Sequence, residues 1–152
     1  MAHQTQLPKR AATRNDVSAA PPRVAPKIHA APKIRQIYWC SFWEDVILPE
    51  MHKKRPVVII SRKNTLYGPC LVLPTSTDPQ EGKSAEWAHK LSIKPDGSSD
   101  TWVVCNHLYT VSPSRLEPLQ GPVIPRLPED EFNEILDKVL KWLPSLRLPE
   151  KP

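Results

Sequence analysis

Glu50 and Arg55 are separated by Met51-His52-Lys53-Lys54, and Arg55 is followed at once by Pro56-Val57-Val58-Ile59-Ile60-Ser61. Ionisable groups thus meet an apolar, β-branched run. A carboxylate in such a place can take a proton, and a guanidinium offers a planar fork of donors matched to phosphate oxygens. The run has the composition of a strand buried on both faces, and Pro56 is tolerated where such a strand begins. Arg55 is expected at the rim of a core. A basic loop entering a strand is ordinarily a solvated rim, so the case for chemistry rests on what accompanies it.

Hydroxyls come next, as Thr75-Ser76-Thr77 after Pro74. Such a cluster can donate to a phosphate or simply close a Ser/Thr turn on its own backbone. Asn106-His107 forms a third polar group inside an apolar stretch. The five histidines show no ligand-like pairing with one another or with Cys40, Cys70 and Cys105, which read as free buried thiols of a reducing compartment. No metal and no cofactor is expected. Four glycines leave no glycine-rich phosphate loop, which argues against nucleotide-driven chemistry.

The elements that must position these groups are short strands: Gln36 to Phe42, Val57 to Ile60, Cys70 to Leu73, and Trp87, His89, Leu91 and Ile93 on one face of an alternating segment. Pro95-Asp96-Gly97 marks a turn, Trp102 to Val111 supplies one or two strands, and Arg115 to Leu119 a short one. On its alternating face His89 reads as a satisfied or edge histidine. The period then becomes helical through Phe132, Ile135, Leu136, Val139, Leu140 and Leu143, with Pro128 and Glu129-Asp130-Glu131 at the start and Pro144 at the end. That stripe needs a partner, either the flank of the barrel or a second subunit. The fold class is mainly β: a small SH3-like barrel with a C-terminal amphipathic helix.

Nineteen prolines in 152 residues are unevenly spread, and residues 1–33 are rich in Pro and Ala without periodicity. They read as a disordered basic tail, residues 34–148 as the barrel domain, and 149–152 as a short C-terminal tail. Residues 1–35 hold seven basic residues against one acidic, a net of +6, whereas the rest holds 14 against 15, a net of −1. The basic pI belongs to the tail, so recognition of nucleic acid by the domain must be local. His52-Lys53-Lys54-Arg55 and Arg62-Lys63 supply charge, and Trp43 and Tyr67 either stack on splayed bases or complete the core. No run is long enough to span a membrane, and a cytoplasmic location is expected.

The order Ile37-Tyr38-Trp39, Glu50, Arg55-Pro-Val-Val-Ile-Ile-Ser, Cys70-Leu-Val-Leu-Pro-Thr-Ser76-Thr77, then Trp102-Val-Val-Cys-Asn106-His107-Leu-Tyr-Thr-Val-Ser with Ser114-Arg115-Leu116 and a final amphipathic helix resembles the MazF/PemK toxin family over about residues 34–146. The resemblance implies a homodimeric, metal-independent endoribonuclease that cleaves single-stranded RNA, usually at short sequences, through its 2′-hydroxyl and is neutralised by a cognate antitoxin. The residues suit that chemistry: Glu50 can supply the base, and Arg55 stabilises the crowded phosphorane. That role is favoured over the acid role sometimes assigned to this arginine in the family, because a guanidinium stays charged. The resemblance makes Ser76, where most members carry threonine, the donor to the phosphate. His52, Lys54, Thr77, Asn106 and His107 are expected to bind the RNA. Many members have an acidic residue and glutamine where this chain has Asn106-His107, and some are assigned an aspartate base that Asn106 replaces. His107 or His52 could then act as acid or base in compensation. The other reading is a non-catalytic or gyrase-inhibiting protein on the same scaffold, acting on a DNA-binding enzyme and held by an antitoxin.

Overall fold

A computed structural model describes residues 20–150, in which the apolar runs form one antiparallel sheet of seven strands. They are β1 (Ile37–Ser41), β2 (Lys54–Ile59), β3 (Cys70–Ser76), β4 (Ala88–Lys90), β5 (Trp102–Val104), β6 (Tyr109–Val111) and β7 (Leu116–Glu117). Their order is β4-β5-β3-β2-β1-β7, with β6 also on β3. β3 forks: Cys70–Val72 pair with β6 and Thr75–Ser76 with β5, which bends the sheet into a half-closed barrel.

Side chains alternate across a strand, so β2 sends Val57 and Ile59 into one core with Tyr38, Phe42 and Leu116, and Val58 into another with Ile37, Leu73 and Val103. The reading of β2 as buried on both faces holds. Pro56, however, is the third residue of β2 and not its first, opposite Trp39 of β1. The segment expected as an alternating strand from Trp87 to Ile93 is a 3₁₀ turn (Gly82–Trp87) followed by only three strand residues.

Helix α1 (Glu129–Trp142) begins after Pro128 and buries Phe132, Ile135 and Val139, each contributing roughly 1.5–3 kcal/mol of transfer free energy. It lies on the barrel flank, where Lys138 Nζ donates to the carbonyls of Ala88 (2.6 Å) and Ala85 (3.2 Å). Leu140 and Leu143, expected in the apolar stripe, are exposed instead.

The tail expected to be free through residue 33 is shorter than that. Ile28 is buried in the first core, Lys27 pairs with Glu117, Ser114 Oγ donates to the Val24 carbonyl, and Asn64 Nδ2 donates to the Pro32 carbonyl. One aliphatic side chain that fills a core gap is enough to lay the chain down; a local composition average hides it. Residues 1–19 and 151–152, the remainder of the two expected tails, lie outside the described residues.

Candidate functional site

β2 and β3 pair from Ile59↔Val72 to Val57↔Pro74, and the next step would face Pro56 with Thr75. Neither proline has an N–H to donate, so the ladder stops. Side chains replace it: Thr75 Oγ1 donates to the Pro56 carbonyl at 2.7 Å, and Arg55 Nη1 donates to the Thr75 carbonyl at 3.0 Å. β3 then turns toward β5. A cleft of about 350 Å³ opens where the strands part, lined by Trp39, Lys54, Arg55, Ser76, Thr77 and Asp78 among others.

Arg55 Nε also donates to the His52 carbonyl at 3.0 Å. A guanidinium has five N–H donors, so these two bonds fix it and leave three for a ligand. Burial pushes its pKa down, while Asp78 and Tyr109 push it up, and it remains charged throughout the biological range. Partial removal from water makes its field less screened. The turn that presents His52 to Arg55 holds Lys53 at φ 67°, a left-handed conformation costing a non-glycine residue about 1–2 kcal/mol.

Lys54 stands over the Trp39 ring at 5.9 Å and pairs with Glu117, which Lys27 also holds. Hydrogen bonds from Lys27 and Lys54 bring the Glu117 carboxyl down to about 2. An anion entering the cleft therefore competes with Glu117 for Lys54. Thr77 is exposed in the cleft, and Asp78 and Asp96 bring opposing charge. The Ser76 Oγ accepts from the Asp78 amide at 3.2 Å, so the Ser/Thr turn exists, yet the hydroxyl proton is still available for donation.

Glu50 lies elsewhere. Its exposed carboxylate accepts from the Ile47 amide at 3.0 Å, and it lines one hollow of about 230 Å³ with Trp43 and Tyr109 and another of about 280 Å³ with Asn106 and His107. The structure thus brings Arg55, Lys54, Ser76 and Thr77 together, and joins Glu50 to Asn106 and His107 in a neighbouring groove. His52 gives the site its carbonyl; its ring is not among the groups lining the cleft. His107 is half-buried, its Nδ1 has no partner, and burial and then the charge of Arg55 hold its pKa below the usual histidine value.

Sequence reasoning gave no site role to Trp39, Asp78 or Tyr109, whose hydroxyl accepts from the Met51 amide at 2.8 Å. Trp39 becomes legible only through its register opposite Pro56. Of the two aromatics weighed as stacking groups, Trp43 completes the core, packed with Phe42 and Tyr109 under Arg115. Tyr67 is 74% exposed in the loop between β2 and β3. Cys40, Cys70 and Cys105 are free and buried, and burial raises their thiols to about 12, 11 and 11. Among the described residues, no group of three or more His, Cys, Asp or Glu is placed to hold a metal ion, and no helix is long and apolar enough to cross a membrane.

A family model for the PemK-like, MazF-like toxin of type II toxin–antitoxin systems matches residues 33–143. No curated protein matches the chain. Solved structures with a similar fold include MazF from Deinococcus radiodurans (TM-score 0.56, 20% identity, 73% of this chain and 94% of that one). They also include an endoribonuclease in complex with its cognate antitoxin from a mycobacterial species (0.53, 15%, 76% and 100%). The MazE–MazF complex from Deinococcus radiodurans is a third (0.53, 19%, 73% and 94%). At these identities the structures speak for the fold, and the family match over residues 33–143 speaks for descent: the chain belongs to the PemK-like, MazF-like toxins of type II toxin–antitoxin systems.

Proposed function

We propose that the protein is a metal-independent endoribonuclease that cleaves single-stranded RNA by attack of a ribose 2′-hydroxyl on the adjacent phosphate. The observation that carries this reading is Arg55, a guanidinium fixed by two backbone carbonyls at the mouth of a cleft that also holds Lys54 and the Ser76 and Thr77 hydroxyls. A preorganised cation beside donors is what a pentacovalent phosphorane requires, and it needs no rearrangement when charge develops. Ser76 donates to a non-bridging oxygen, and Lys54 exchanges Glu117 for the incoming phosphate. Glu50 is the proposed base, its exposed carboxylate turning from the Ile47 amide to the 2′-hydroxyl. As the 2′-oxygen bonds to phosphorus, the 5′-oxygen leaves and takes a proton from water, giving a cyclic phosphate and a 5′-hydroxyl. Single-stranded RNA, a second copy of the chain and a cognate antitoxin are the proposed partners, the last because two of the similar structures are antitoxin complexes.

The test is a long single-stranded RNA incubated with the purified protein in EDTA. Cleavage is expected, falling by about 10²–10³-fold in Arg55→Ala, the usual loss for one preorganised transition-state donor. Intact RNA, or a rate indifferent to Arg55→Ala, rules the reading out. Glu50→Gln should lower the rate about 10²-fold or more, and an unchanged rate would move the base elsewhere.

A second reading, a toxin that binds without cutting, draws on Ser76 and Glu50 both being engaged by their own loops. Growth arrest with all RNA whole, and a stable complex with a partner protein, would favour it.

A further inference from the structure

Ser76 lines two hollows at once, the charged cleft with Arg55 and a second of about 220 Å³ on its other side. The second is bounded by Gln80, Ser84 and Trp87 from the segment after β3 and by Asn106 and His107 from the turn after β5. It contains two carboxamides, hydroxyls, one indole and one imidazole, but no carboxylate, lysine or arginine. Its volume is below the roughly 300–1,000 Å³ of sites that take drug-sized ligands and suits a single ring system.

We infer that this uncharged hollow binds one unpaired nucleobase next to the phosphate held at Arg55, and that Gln80 and Asn106 determine which base is accepted. The inference rests on the RNA reading above and adds the specificity determinants. Covalent connection supplies the first argument. A phosphate in the cleft carries its nucleoside with it, and the hollow across Ser76 is where the base can go without leaving the surface. Charge supplies the second, because a base edge is a neutral array of donors and acceptors, and carboxamides match such edges in pairs.

The walls are built for a flat ring. Trp87 is braced edge-to-face against Trp142 at 5.1 Å and 75°, and its carbonyl accepts from the Cys105 amide at 2.7 Å. Gln80 Nε2 donates to the Asp78 carbonyl at 2.9 Å, which fixes its head group. The His107 backbone amide donates to the Val104 carbonyl at 3.3 Å, which closes the turn carrying Asn106. His107 Nδ1 is the one buried side-chain nitrogen or oxygen among the described residues with no partner. His107, which lines the hollow, thus brings to it a ring with a polar atom that the fold itself does not satisfy.

The experiment uses the full chain and a randomised RNA library made non-cleavable by 2′-O-methylation, with sequencing of the bound fraction and salt-dependent affinity as readouts. Wild type should enrich one base at one position. Gln80→Ala and Asn106→Ala should each flatten that enrichment about tenfold while leaving preferences elsewhere and the salt slope, set by Lys54 and Arg55, as they were. Variants that keep the wild-type preference at every position, or weaken all sequences equally, overturn the inference. If the library shows the preference but long RNA stays whole in EDTA, the pocket stands and the cleavage reading falls. If wild type binds no RNA, both fall.

Discussion

His89 and His107 are both half-buried, both on the barrel, and opposite in what surrounds them. His89 places Nε2 3.2 Å from Glu131 and Nδ1 3.6 Å from Glu134, with its side chain 13% exposed. Both nitrogens face carboxylates of α1, so the ring ties β4 to the helix. His107 has a buried Nδ1 with no partner and the positive charge of Arg55 nearby. The first histidine holds the fold together, and the second is a polar atom the fold leaves unsatisfied. Residue type is the same; the difference in partners separates a structural tie from the group on which the proposed base pocket draws.

The comparison breaks most visibly at Glu131. Its carboxylate accepts from the Ser92 amide at 2.9 Å, the Ser92 hydroxyl at 2.5 Å and His89. Hydrogen bonds to a charged group contribute about 1.5–3 kcal/mol each when buried, and allowing for the exposed side of this cluster, Glu131→Ala should cost about 2–3 kcal/mol in denaturant unfolding. The proposed RNA cleavage, measured per molecule well below the unfolding midpoint, should not change. A variant as stable as wild type would remove the structural role assigned to His89 and its carboxylates. His89→Ala is the smaller version, expected to cost about 1–2 kcal/mol because Glu131 keeps both bonds to Ser92.

That His89 is a satisfied histidine was legible in the sequence; its tie to α1 and the orphan at His107 were not. In sequence His89 reads as part of an alternating segment, where a histidine is most simply a satisfied edge residue. The structure keeps only Ala88–Lys90 as strand, and the carboxylates on the ring come from α1, whose period and Glu129-Asp130-Glu131 are visible in the sequence. His107 was legible only as a polar residue in an apolar stretch. Its isolation depends on a turn, Val104 to His107, and on Arg55 reaching it from a strand distant in sequence, which no local pattern encodes. Pro56 shows the same limit. Proline chemistry excluded it from a regular ladder, but only the β2–β3 register shows that Pro74, opposite Val57, and Pro56, one step on, stop the ladder at successive levels and open the cleft there. Ile28 lay within a segment whose average composition spoke for a free tail, and average composition does not see one side chain filling one gap.

Acid separates the two histidine environments by pH. The His107 pKa is below 6.5 in the folded state, so between that value and 6.5 the unfolded chain binds more protons and stability falls as pH falls through this window. The Glu131 carboxyl is also lowered: burial opposes its ionisation, but Ser92 and His89 outweigh burial. Its contribution is full above about 4.5 and is lost as pH falls through the lower folded value. Subtracting a His107→Leu curve from wild type should isolate the first step, and subtracting Glu131→Gln the second. Curves for His107→Leu parallel to wild type from pH 7 to 5 would mean the imidazole is solvated in the folded protein.

At neutral pH His107→Leu should have the smallest effect on stability and the most informative one. Leucine has similar bulk and no polar atom, so the substitution removes a buried unsatisfied nitrogen whose burial costs about 1–3 kcal/mol, and gives up the packing of a ring edge that was partly wet. The two nearly cancel, and unfolding in denaturant should shift by no more than about 1 kcal/mol in either direction. A loss of 2 kcal/mol or more would show that Nδ1 is satisfied in solution, which would remove the ligand argument from the hollow beside it. A near-zero shift together with a flattened base preference in the RNA library would separate the two histidines completely, since His89→Ala should do the reverse.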